Sequence, residues 1–218
     1  MSELIRMSPA RVLRDLVPEP AWQGLTDFPR WSRPAGTVLL RQGESGNCVL
    51  ALISGVVKVV RGDLEGRDRL LAFRGPGEVL GEVAVQDGGG RLAHVLTVSR
   101  CEVSVIPAAA FQDFVERHAL APQLARHAHS RLREQTEACE GDIDRRLAAA
   151  LLHLTEISGA RSLSLTRVEL AQHLGVGRNS ITEALERFGS HRVRFGRTRI
   201  EVLDAPYLRR LADRRAAA

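Results

Sequence analysis

Two different periodicities divide this chain near its middle, and they fix what it can fold into. From Gly36 to about Ile106 the apolar residues come in short runs dense in β-branched side chains: GTVLL, CVLALISGVVKVV, RLLAF, GEVLGEVAV, HVLTV and CEVSVI. Glycines end the runs (Gly36, Gly43, Gly55, Gly66, Gly77) and the turns follow closely on one another. Such strands close into an antiparallel barrel or roll whose interior can hold one small ligand. Beyond Pro107 the apolar residues recur at helical spacing, so the class is α+β, a β-roll followed by helices.

Pro107 is expected in the first turn of a helix carrying Phe111, Phe114 and Val115. A longer helix, roughly Ala121 to Glu140, bears a narrow stripe of Leu124, Ala128, Leu132, Gln135 and Cys139. That stripe fits either a helix lying on its own roll or a two-fold seam between subunits. His127 and His129 leave different sides of this helix, cannot easily share a metal, and read as solvated. A further amphipathic helix with Ile143, Leu147, Leu151 and Leu154 runs out at Ser158-Gly159.

The most specific segment is LTRVELAQHLGVGRNSITEALERF, residues 165 to 188. Thr166 and Glu169 make a capping box, Leu165 and Leu170 a hydrophobic staple, and Val168, Ala171 and Leu174 can face inward. Gly175-Val176-Gly177 then forces a tight turn into a second helix, Arg178 to about Phe188, packed through Ile181, Leu185 and Phe188. Two short helices joined in this way form a helix-turn-helix. Arg178, Asn179, Thr182 and Glu183 point outward, where Arg suits guanine, Asn adenine and Glu cytosine in a major groove. Ser180 and the first-turn amides suit phosphate. RVRFGRTRIEV reads as a β-wing that brings Arg194, Arg197 and Arg199 to the phosphate track, and Arg167 and Arg187 complete the DNA-binding candidates.

The charge distribution agrees with that reading. Residues 1 to 118 hold 14 basic and 14 acidic side chains, whereas residues 119 to 218 hold 17 and 12 and so carry the whole net charge of +5. A basic segment on a neutral partner domain points to a polyanion, nucleic acid first. Arginine supplies every basic residue except Lys58, a bias as well explained by genome composition as by function.

GEVAVQDGGGRLA, residues 81 to 93, admits two readings. Asp87 followed by three glycines is strong hairpin-turn chemistry, while an acid one step after a glycine and a lone Arg91 suit a cradle for a small anion. Other chemistries find little support. Cys48, Cys101 and Cys139 lie far apart without zinc spacing, and only His94 falls in the roll, so neither a metal site nor a cupin-like enzyme is expected. No apolar run is long enough to span a bilayer and MSELIRMSPARVLRDL lacks the apolar core of a signal peptide, so a cytoplasmic protein is expected.

In this order, a glycine-punctuated roll, a long helix and a winged helix-turn-helix resemble the Crp/Fnr superfamily of bacterial transcription regulators from about Leu25 to Leu203. PAGTVLLRQGESGNCVLALISGVVKVV is similar to that family's β-roll, GEVAVQDGGGRLA to its phosphate-binding cassette and TRVELAQHLGVGRNSITEAL to its DNA-binding helices. The resemblance implies a sensor domain over residues 1 to 118, a dimerisation helix and hinge over 119 to 141, and a DNA-binding domain over 142 to 218. It implies a homodimer that binds a cyclic nucleotide in each roll, reads a palindromic operator and acts with RNA polymerase. The ligand site would comprise Gly81, Glu82, Val83, Ala84, Arg91 and Leu92, with Gln135 and Thr136 near the base. Glu82 would accept from the ribose hydroxyl and Arg91 would neutralise the cyclic phosphate.

Four departures bound that transfer. Leu92 stands where cyclic-AMP binders place a hydroxyl, a loss worth about 1.5 to 3 kcal/mol, or about ten- to hundredfold in affinity. The loop before Arg91 is about one residue short, and the segment ahead of Asp142 about four. Asn179 and Glu183 replace Glu and Arg of the cyclic-AMP receptor, so the operator differs. The ligand therefore stays unassigned between cyclic AMP, another cyclic nucleotide and none, the last being a ligand-independent regulator with a degenerate pocket. The amino-terminal cysteine cluster of oxygen-sensing members is missing, so no iron–sulfur cluster is expected, while haem stays open.

Overall fold

The computed structural model describes residues 12–63, 65 and 68–213, Glu137 by its backbone. Residues 1–11, most of the segment read as lacking a signal peptide, and Gly66 among the run-ending glycines lie outside the described residues. The chain divides into two compact units, Val12–His129 and a second that runs on from Ser130.

In the first unit a 3-10 turn (Leu13–Leu16) and α1 (Glu19–Thr26) precede the strands β1 (Arg30–Arg33), β2 (Val38–Leu40), β3 (Cys48–Ser54), β4 (Val57–Gly62), β5 (Asp68–Arg74) and β6 (Val79–Leu80). The short helix α2 (Glu82–Asp87) interrupts them before β7 (His94–Thr97) and β8 (Cys101–Pro107), and α3 (Ala108–Arg117) and α4 (Ala121–Glu137), which belongs to this unit as far as His129, follow. Two four-stranded antiparallel sheets result, ordered β1-β8-β3-β6 and β2-β7-β4-β5. Alternation along β3 explains how they are held. Leu50 and Leu52, with Leu80 of their own sheet, face Leu40, Val57 and Val95 of the other, while Val49 and Ala51 face Trp22, Phe111, Phe114 and Leu124 of the helices. A strand covered on both faces must be apolar throughout, which accounts for the unbroken run CVLALI. Pro107 ends β8 and caps α3 rather than occupying its first turn, because its extended backbone still pairs with Cys48.

The second unit contains α5 (Ile143–Ser158), β9 (Ser162–Leu163), α6 (Arg167–Leu174), α7 (Arg178–Phe188), β10 (Val193–Phe195), β11 (Ile200–Val202) and α8 (Ala205–Ala212). Asp142 starts α5 by accepting from the amides of Asp144 and Arg145, and Gly159, left-handed, stops it. Leu147, Leu151, Leu170, Ile181, Leu185, Phe188 and Leu208 are fully buried and form the core. The wing is a three-stranded sheet, β10-β11-β9, its third strand coming from before the helix-turn-helix. Among the described residues no helix is long and apolar enough to cross a membrane.

One polar cluster sits inside the first unit. His127, expected in solvent, is only 2% exposed, and its Nε2 lies 2.9 Å from Glu78 Oε2. The other carboxylate oxygen of Glu78 lies 3.9 Å from Nε of Arg74, whose Nη1 donates to the Phe73 carbonyl. The helical stripe hides this, because Leu124 and His127 are three residues apart and turn the same side of α4 inward. A carboxylate is costly to bury, and removing it from between two buried basic groups leaves them uncompensated. Glu78→Ala should therefore destabilise the protein by about 3 kcal/mol, and Glu78→Gln, which keeps an acceptor for His127, by distinctly less. Urea denaturation followed by circular dichroism measures both, and equal losses would contradict the pairing.

Candidate nucleic-acid interface and ligand cassette

EVAV, expected among the β runs, folds with Gln86 and Asp87 as the helix α2, and Gly81 makes its entry possible. Gly81 has φ +84, a left-handed conformation, and a β-carbon there would collide with Arg91 Nη1. Arg91 is 5% exposed, and its guanidinium donates from Nη1 to the Gly81 carbonyl at 2.8 Å and from Nη2 to the Cys48 carbonyl at 2.6 Å. Glu82, the next residue after Gly81, is buried at the first position of α2. Gly81, Glu82 and Arg91 are thus gathered at one corner of the roll, with Ala84 buried beneath and Val83 exposed. Leu92 is 54% exposed and presents no polar atom beyond its backbone.

The triple-glycine loop is tied down at its far end. Its last turn exchanges hydrogen bonds with the opposing loop, Gly43 N donating to Arg91 O at 2.9 Å and Arg91 N to Glu44 O at 2.8 Å. A depression of about 470 Å³ lies beside this loop, lined by Ser45, Asn47, Val85, Gly89 and Gln112 among others, and reaches neither Glu82 nor Arg91. Gln135 and Thr136 are exposed on α4 beyond the unit boundary, and Thr136 Oγ1 donates to the Leu132 carbonyl. Leu132 itself is 63% exposed. No group of three metal-ligating side chains occurs among the described residues.

In the second unit the capping box of α6 is complete, Glu169 N donating to Thr166 Oγ1 and Thr166 N to Glu169 Oε2. Gly175, at φ +63, ends α6, and its amide reaches the carbonyls of Ala171 and Gln172. α7 begins after Gly177, which brings no side-chain cap, so its first-turn amides suit an anion. Ile181, Ala184, Leu185 and Phe188 are buried, and Arg178, Asn179 and Glu183 are exposed on the opposite side. Ser180 and Thr182 are half-buried. Val168, expected inside, is 46% exposed, because Leu170, Ala171 and Leu174 turn a different face of α6 inward.

The arginines differ in what they meet. Arg187 pairs with Asp144, Nε to Oδ2 at 2.9 Å, and this hydrogen bond raises the Arg187 pKa. Arg194 pairs with Glu201 across the wing at 2.9 Å. Arg167 donates to Thr182 Oγ1. Arg178, Arg197 and Arg199 are exposed, with no side-chain partner among the described residues. The Cys48 carbonyl and Asp144 carried no local sequence signal, since one is a backbone group and the other is distant in the chain from its partner.

Similarity to known proteins follows the same division. The cyclic nucleotide-binding domain family matches residues 30–118, and the Crp-like helix-turn-helix domain family matches residues 145–211. The Cyclic AMP receptor protein of Thermus thermophilus is 29% identical over 212 residues, 94% of this chain and 98% of that protein. The CRP-like cAMP-activated global transcriptional regulator of Mycobacterium tuberculosis is 31% identical over 178 residues, 76% of this chain and 77% of that protein. A solved structure of a CRP/FNR family transcriptional regulator, also from Thermus thermophilus, superposes with a TM-score of 0.70 at 25% identity, covering 86% of this chain and all of that one.

Gly81 offers a direct check on the cassette. Gly81→Ala should cost backbone strain of about 1 to 3 kcal/mol and displace Arg91 as well. Gly88→Ala, also at positive φ but with nothing within 4 Å of the added carbon, should cost the strain alone. Denaturant midpoints compare the two, and a Gly81 variant no worse than the Gly88 variant would contradict the close approach of Arg91.

Proposed function

We propose, from the premise that this chain belongs to the Crp/Fnr family of transcription regulators, that it is a homodimer reading a palindromic operator under the control of a cyclic nucleotide. The family consists of DNA-binding transcription regulators, not enzymes. The observation that carries the ligand reading is the corner where Arg91 and Glu82 meet Gly81, a cation and an acid held on one short helix and its loop. Arg91 uses part of its fork on two carbonyls, and the remaining N–H groups would bind the cyclic phosphate. Glu82 would accept from the ribose hydroxyl, and the amides of Val83 and Ala84 would complete the cradle. Gln135 and Thr136 are the candidates for contact with the base. Exposed Leu132 is the seam for a second copy.

On DNA, Arg178, Asn179 and Glu183 would read base edges, while Arg197, Arg199 and the first-turn amides of α7 would hold phosphates. Binding there would act on transcription by RNA polymerase in the cytoplasm. Exposed Leu92 favours a second reading, in which the roll is a scaffold and DNA is bound without nucleotide.

Titration calorimetry on the full chain separates the two. The ligand reading expects one cyclic nucleotide per roll, with an affinity about ten- to hundredfold below that of a cassette with a hydroxyl after the arginine, and no heat from Arg91→Ala. Absence of heat with both cyclic AMP and cyclic GMP would leave the scaffold reading. For DNA, Arg178→Ala should cost about 1 to 3 kcal/mol and relax one base position, and Arg197→Ala should weaken all sequences alike and lower the salt slope by about 1. Gel-shift titrations at several salt concentrations measure both.

A further inference from the structure

One guanidinium joins the three elements of the DNA reader. Arg167, the first residue of α6, is half-buried, and its Nη1 donates to Thr182 Oγ1 on α7 at 3.3 Å. The same guanidinium lies over the ring of Phe195 on β10, with its carbon 5.4 Å from the ring centroid. Thr182 in turn donates its only hydroxyl proton to the carbonyl of Arg178, 3.2 Å away. That hydroxyl therefore has no proton left for a base, and one of its two lone pairs already accepts from Arg167.

Resting on the DNA-reading assignment above, we infer that Arg167 is a positioning residue that locks the recognition helix to the wing, and that Thr182 serves as its anchor, not as a base reader. Base reading then falls to Arg178, Asn179 and Glu183. The chemistry requires arginine. A planar fork can offer an edge to a hydroxyl and a face to a ring at once, and a lysine ammonium on its flexible stem cannot. A phosphate contact would behave differently, since it depends on charge alone and leaves its mark on the salt dependence of binding.

The test uses the full-length protein with Arg167→Ala, Arg167→Lys and Thr182→Val, in two arms. Without DNA, amide hydrogen exchange in the wing, at Arg194 and Glu201, should quicken in both Arg167 variants. With DNA, both should bind the operator about tenfold more weakly, the combined worth of one hydrogen bond and one cation–π contact. Their salt slope should equal that of the wild type and their base preference should flatten. Thr182→Val should reproduce part of the loss and add little to Arg167→Ala. A slope lowered by about 0.9 in Arg167→Ala, with affinity restored by Arg167→Lys, would overturn the inference in favour of a phosphate contact. Unchanged wing exchange would overturn it as well. Quickened exchange in a protein whose wild type selects no DNA sequence would uphold the lock while overturning the DNA-reading assignment.

Discussion

A guanidinium withdrawn from water must be met by acceptors, and in the β-roll Arg91 is met by two backbone carbonyls, those of Gly81 and Cys48. Much of the cassette follows from that one requirement. The Gly81 carbonyl meets Arg91 from a left-handed backbone, and the space a side chain would need is taken by the guanidinium. The same residue launches α2, so Glu82 falls at its first position, where a helix end favours an acid. Cys48 begins β3, the strand packed on both faces, which anchors the cassette to the most buried part of the unit.

The second unit rests on a different balance. Its core is ordinary aliphatic and aromatic packing, and the arginines on its surface divide between partners in the protein and open positions. Surface ion pairs such as Arg194 with Glu201 are worth little in water, so exchanging the carboxylate for a phosphate would cost little. Arg187, held by both oxygens of Asp144 at the start of α5, is more firmly committed. That pair binds α7 to α5 and makes Arg187 less available for DNA than Arg178, Arg197 or Arg199.

How much of this could be read in the sequence depended on whether the determining contacts were local. The end of α5 and the start of α7 were legible because Gly159 and Gly177 act within a turn of their helices. The capping box of α6 and the wing around Gly196 were legible for the same reason. β9, whose two residues pair with a strand nearly forty positions later, gave no local signal. His127 was misread because its burial depends on Glu78 and Arg74, brought to it only by the closed roll. EVAV reads as strand by composition, and the left-handed Gly81 that starts α2 meets a partner, Arg91, ten residues away.

We propose that the DNA reader and the ligand cassette work together in one regulator. Selection of binding sites from a random DNA pool, run with and without cyclic nucleotide, tests it most directly. The predicted result is a two-fold symmetric sequence, its half-sites centred about 34 Å apart, whose enrichment rises when the nucleotide is present. Recovery of no palindrome under either condition would contradict it.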